Sequence, residues 1–181
     1  MTDKEIIATY RGGEPQRAFN EIVRAYSERL YWHVRSIVGS HDDTDDLLQD
    51  IFIKIWAALP SFRGEAQLFT WIWRIATNES LNFLKSRKKA ATVSMDETPE
   101  SASRIPDEDA RLDGDEAQRL LSVAVSKLPP VQRAVFSMRY YDEMKYEDIS
   151  EVLGSSVSSL KASYHFAYEK VKDYLLKKIT I

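Results

Sequence analysis

Between Asp42 and Lys89 the chain carries three parts in a fixed order: an acidic segment, a short Arg-Gly loop, and an aromatic segment ending in basic residues. Leu47, Leu48, Ile51, Phe52, Ile55 and Trp56 recur at helical spacing behind Asp42, Asp43, Asp45 and Asp46. Pro60 stops that helix, and Ser61-Phe62-Arg63-Gly64-Glu65 forms a loop. Leu68, Phe69, Trp71, Ile72, Trp73, Ile75 and Ala76 follow, then Lys85, Arg87, Lys88 and Lys89. Rings beside cations suit an unstacked nucleic-acid strand, because bases stack on rings and phosphates pair with cations.

The rest of the chain repeats the helical period. Asp3 to Tyr10 predicts a short helix ended by Gly12-Gly13. Phe19, Ile22, Val23, Tyr26, Leu30, Val34 and Ile37 predict an amphipathic helix over 14–38, capped by Gly39. Asp42 or Asp43 is expected to cap the next helix, and the third is expected from about Ala66 to Lys89. Residues 90–116 lose the period and fill with Ala, Thr, Ser, Pro and acidic residues, which reads as a flexible acidic linker. Beyond it, Leu120, Leu121, Ala124, Val125 and Leu128 form a stripe ended by Pro129-Pro130. Tyr146 to Leu153, Gly154, and Ser156 to about Leu176 then read as a helix-turn-helix. The expected fold is all-α: a domain over 1–89, the linker, and a second domain over 117–181.

Charge is distributed in blocks. The net −3 disguises segment charges of −3 over 1–60, +4 over 61–93, −7 over 94–117 and +3 over 118–181. With a Debye length of about 10 Å in 0.1 M salt, a partner meets each block separately. The chain has no cysteine, which excludes disulfides and thiolate chemistry and fits a reducing cytoplasm. No apolar run long enough for a membrane span and no signal-peptide layout occurs. His33, His41 and His165 are scattered, and no nucleophile motif, Gly-rich phosphate loop or calcium-loop spacing is present. Neither an enzyme nor a metal or cofactor site is expected.

The second domain offers its own candidate surface. Leu160, Tyr164, Ala167 and Val171 share one face of the last helix and are expected to pack inward. Ser158, Ser159, Lys161, Ala162, His165 and Phe166 then face outward, with hydroxyls, a cation, an imidazole and an apolar ring suited to phosphates and base edges. In the aromatic segment, residues two apart on a helix point about 200° apart, so Trp71 or Trp73 is expected to stay exposed.

The strings Asp-Asp-Leu-Leu-Gln-Asp-Ile-Phe-Ile-Lys-Ile-Trp, Phe-Arg-Gly and Phe-Thr-Trp-Ile-Trp-Arg-Ile-Ala-Thr-Asn resemble the promoter-melting domain of bacterial sigma factors. Leu-Pro-Pro-Val-Gln-Arg-Ala-Val-Phe and Tyr-Glu-Asp-Ile-Ser-Glu-Val-Leu-Gly resemble the domain that reads the upstream (−35) element. Together they point to the extracytoplasmic-function group. The resemblance implies that Phe62, Trp71, Trp73 and Asn78 unstack the downstream (−10) element and hold an extruded base. Arg63, Arg74, Lys85, Arg87, Lys88 and Lys89 would hold its backbone. It also implies that Asp45, Asp46, Gln49, Asp50 and Lys54 dock on the clamp coiled coil of the RNA polymerase core, that the linker threads the RNA path, and that an anti-sigma factor is a partner. Family members often carry two arginines where Ser163 and Phe166 stand, so a different upstream sequence is expected to be read. Two other classes fit the same helices: a helix-turn-helix regulator acting without polymerase, and a protein–protein adaptor.

Overall fold

The computed structural model describes residues 1–93 and 116–180; most of the expected linker lies outside them. Among the described residues every regular element is helical. In the first half, α1 spans Asp3–Arg11, α2 Pro15–Val38, α3 His41–Ala58 and α4 Leu68–Val93. In the second, α5 spans Glu116–Ser126, α6 Pro130–Phe136, α7 Tyr146–Leu153 and α8 Val157–Ile179.

Local chemistry sets most of the ends. Thr2 and Glu5 form a reciprocal capping box on α1. Gly39 closes α2 in the left-handed region at φ 87, where a side chain would be strained. The cap of α3 is Ser40, not Asp42 or Asp43: its hydroxyl accepts from the Asp43 amide at 3.1 Å. The two aspartates sit instead in the first turn, where they complement the helix dipole. Pro60 falls in a 3₁₀ turn, Leu59–Ser61, that leads α3 into the loop. α4 passes the expected end at Lys89 and continues to Val93, and α5 opens at Glu116, so both ends of the expected linker are helical.

The two halves pack against each other. α7 lies along α4, and α6 reaches α2. One continuous apolar cluster joins Ile22, Leu30, Ile51 and Ile72 of the first half to Met138, Met144, Ile149 and Val152 of the second. A smaller cluster, with Val125, Leu128, Phe136, Ala167 and Val171, belongs to the second half alone. Polar contacts cross the same seam. The Arg133 guanidinium donates to the Ile37 carbonyl at the end of α2, where the helix dipole favours a cation. It also holds the α5–α6 turn through the carbonyls of Ser126 and Leu128.

α6 runs directly into a π turn over Ser137–Tyr141. The Asp142 amide closes that turn on the Ser137 carbonyl at 3.1 Å. Glu143 follows at φ 51, the one non-glycine residue with positive φ among those described. Together they set the position of the Asp142 side chain at the seam.

Candidate nucleic-acid interface

α4 is built from residues on three sides. Ile72 and Ala76 are buried in the core with Leu68. Arg74, Asn78, Lys85, Arg87, Lys88 and Lys89 are exposed along its length. Phe62, from the loop, lies against Trp71 with ring centroids 4.9 Å apart, and both rings are half-buried. Arg63 beside them is exposed. An open groove of about 410 Å³ between α3 and α4 is lined by Lys54, Ala57, Ala58, Ile75, Asn78 and Glu79. Lys54 pairs with Glu79 across it, and Arg87 is tied to Asp43 at 2.7 Å. Of the expected strand-contacting set, the structure thus brings a ring pair, an exposed amide and the cations Arg74, Lys85 and Lys88 to exposed positions on or beside α4, whereas Arg87, two positions from Lys85, points away from it and is paired with α3.

Trp73 is the correction. Its side chain is fully buried at 0% exposure, so it offers no face to a base in this arrangement. The ring lies tilted against Phe69 at 4.1 Å and meets His33 at 5.4 Å and Tyr26 at 6.0 Å. Its indole N–H donates to Asp142 Oδ2 of the second half at 3.0 Å. Helical geometry excludes burying both indoles on one face, and they are covered separately: Trp73 by Tyr26 and His33 of α2 together with Asp142 of the second half, and Trp71 by Phe62 of the loop. Neither indole is openly exposed as a result.

The acidic face of α3 is open. Asp45, Asp46, Gln49, Asp50 and Lys54 are all exposed. Asp45 is paired with His41 at 3.2 Å. Sequence reasoning missed Ile53, a large apolar group 65% exposed beside the charges, and it counted Trp56 in the apolar stripe, whereas Trp56 is 41% exposed with its ring against Phe19. The signal for Ile53 was apolar identity at a position outside the inward stripe.

On α8, Leu160, Ala167 and Val171 are buried and Tyr164 is half-buried. Ser158, Ser159, Lys161, Ala162, His165 and Phe166 are exposed, with Phe166 at 59%. Ser156 caps the helix by accepting from the Ser159 amide at 3.2 Å, so that amide is occupied. The turn before it holds Gly154 at φ 71, a conformation that explains glycine there. Lys161 rests near the Tyr146 ring at 5.8 Å, which joins the two helices of the helix-turn-helix.

Sequence models agree with this division. Sigma-70 region 2 matches residues 22–90, and sigma-70 region 4 matches residues 118–171. The chain belongs to the sigma-70 family, in its extracytoplasmic-function group. It is a promoter-specificity factor of RNA polymerase. The RNA polymerase sigma-H factor of Pseudomonas aeruginosa is 27% identical over 96% of this chain and 93% of that protein. The sigma-E factor of Escherichia coli is 26% identical over 96% of this chain and 94% of its own. The fold is also that of two solved structures. The sigma factor RpoE from Bartonella quintana, in complex with the anti-sigma factor NepR, has a TM-score of 0.75, covering 87% of this chain and 96% of that one. CnrH, in complex with the cytosolic domain of CnrY, has a TM-score of 0.70 and covers 96% of each chain. Among the described residues no helix of this sigma factor is long and apolar enough to cross a membrane.

Proposed function

We propose that this sigma factor works in the cytoplasm as a binding and strand-separating subunit, with residues 1–93 handling polymerase and the downstream element and residues 116–180 reading the upstream element. The polymerase supplies all phosphoryl-transfer chemistry; the sigma factor itself is not an enzyme. The observation that carries the reading is the grouping at the start and along the exposed side of α4: the Phe62–Trp71 ring pair, exposed Asn78, and the exposed cations Arg63 in the loop and Arg74, Lys85 and Lys88 on the helix. Stacking, an amide for a base edge and a charged track for phosphates are what capture of a single strand requires. Run-off transcription with purified core polymerase and a promoter library tests it. Transcripts that depend on the added factor and share paired upstream and downstream elements are expected.

Core polymerase docks on the exposed face of α3, where Asp46, Gln49, Asp50 and Ile53 follow at three- and four-residue spacing. A charged rim around an apolar centre is the usual layout of a protein interface. Asp45 and Lys54 extend that rim. Asp50→Lys is expected to weaken core binding at least tenfold with helicity unchanged, because it reverses one charge on an exposed helix face. Equal affinity in a pull-down or anisotropy titration would remove Asp50 from the interface. An anti-sigma protein is a further expected partner, a reading supported by the complexes in which both structural neighbours were solved.

The exposed face of α8 reads duplex DNA. Lys161 contacts phosphate or a guanine edge, and His165 and Phe166 contact bases. Lys161→Ala is expected to lower upstream-element affinity and to flatten its salt dependence by about one unit of slope. A weakened affinity at unchanged slope would assign Lys161 to a base edge and not to a phosphate.

A further inference from the structure

One carboxylate joins the two halves at the helix assigned to strand capture. Asp142 Oδ2 accepts from the Trp73 indole N–H at 3.0 Å and lies 3.1 Å from His33 Nδ1. His33 is buried, its other ring nitrogen pairs with Thr77 of α4 at 2.7 Å, and its Nδ1 has no aligned hydrogen bond among the described residues. The π turn and the left-handed Glu143 that follow one another here hold Asp142 in place, a local backbone departure of the kind that clusters at switching contacts.

The proposed function makes this contact a conflict. Promoter elements about 10 and 35 base pairs upstream lie roughly 25 pairs apart, or about 85 Å of duplex at 3.4 Å per pair. The longest helix, α4, has 26 residues and spans about 39 Å. Two halves bonded through Asp142 and Trp73 therefore cannot engage both elements together. We infer that Asp142 is an autoinhibitory latch: it holds the second domain against α4 by capping Trp73 and facing His33, and the factor must break this contact to open onto a promoter. The inference rests on the promoter-binding reading above and adds its regulation. Arg133 makes a second crossing contact, but it also ties its own α5–α6 turn, so Asp142 is the cleaner probe.

The test uses the full chain in two arms. Because the protein has no cysteine, Arg24→Cys and Lys172→Cys, both at exposed positions, give a dye pair across the halves. Asp142→Ala is expected to lower transfer efficiency in the free protein, raising the open-to-closed ratio about tenfold or more, as loss of a hydrogen bond to a charged acceptor predicts. Trp73→Phe, which keeps a ring but removes the donor, is expected to shift it the same way, and the double variant to add little to either single one. Unchanged efficiency in folded Asp142→Ala and Trp73→Phe proteins overturns the latch. In the second arm, Asp142→Ala is expected to raise run-off transcription at limiting factor concentration. Opening without that gain overturns the inhibitory role. Opening with no transcription from either the parent or the variant upholds the contact and overturns the promoter-binding reading instead.

Discussion

Replacing Trp73 by alanine is expected to cost about 3–5 kcal/mol of folding stability, the range for removing a large buried aromatic side chain. The ring is fully buried and touches Tyr26, Phe69 and His33. The Arg29 guanidinium also lies over it, 5.4 Å from the centroid. Deleting the ring leaves a cavity that two rigid helices cannot close, and it removes the donor to Asp142. Urea unfolding followed by circular dichroism measures the change; a loss below about 1 kcal/mol, typical of surface or volume-conserving changes, would show that the site repacks or that the ring is not part of the core. Trp73→Phe keeps most of the packing and is expected to lose much less. The comparison separates the contribution of the ring from that of its N–H.

Trp71→Ala is the complementary case. Its ring is half-buried and lies against Phe62 from the loop. The expected stability loss is smaller than for Trp73. Capture of the separated strand is expected to fall by about 1–3 kcal/mol, roughly 5- to 150-fold, the worth of one base–aromatic stack. Phe62→Ala is expected to act in the same direction, and the pair to be non-additive because the rings touch. Permanganate footprinting of the melted region, at promoter occupancy matched to the parent protein, reads this directly. Full reactivity in both variants would remove the ring pair from strand separation and leave Asn78 and the cations as the capturing groups.

These two tryptophans show where reading the chain reaches its limit. Spacing places both on one helix and excludes burying both on a single face. It does not reveal a second cover. Phe62 of the loop covers Trp71, while Trp73 is covered by Tyr26 and His33 of α2 and met by Asp142, which lies far beyond it in sequence. His33 carries a faint trace of the seam: it is a polar residue within the stripe Leu30, Val34 and Ile37, all buried. Asp142 carries none, because its partner Trp73 is 69 positions away and an aspartate after two tyrosines looks like an ordinary turn residue.

The outward faces were more legible. Ser158, Lys161, His165 and Phe166 are exposed because Leu160, Ala167 and Val171 take the inward side, and one covered face is all that a helical period describes. Gly39 and Gly154 marked helix ends for an equally local reason, since both sit in the left-handed region. Ser40 displaced the aspartates as cap because helix starts are decided by one residue's hydroxyl and backbone angle, and several neighbours were eligible.

Local order along the chain therefore determined the helices, their caps, the helix-turn-helix and the division into two parts, since each depends on contacts a few residues apart. The tertiary structure alone decided that the two parts share a core, that Trp73 rather than Trp71 is sealed within it, and that Asp142 holds the seam. Those outcomes depend on surfaces from distant segments meeting, and a hydrogen bond between such segments leaves no periodicity in either of them.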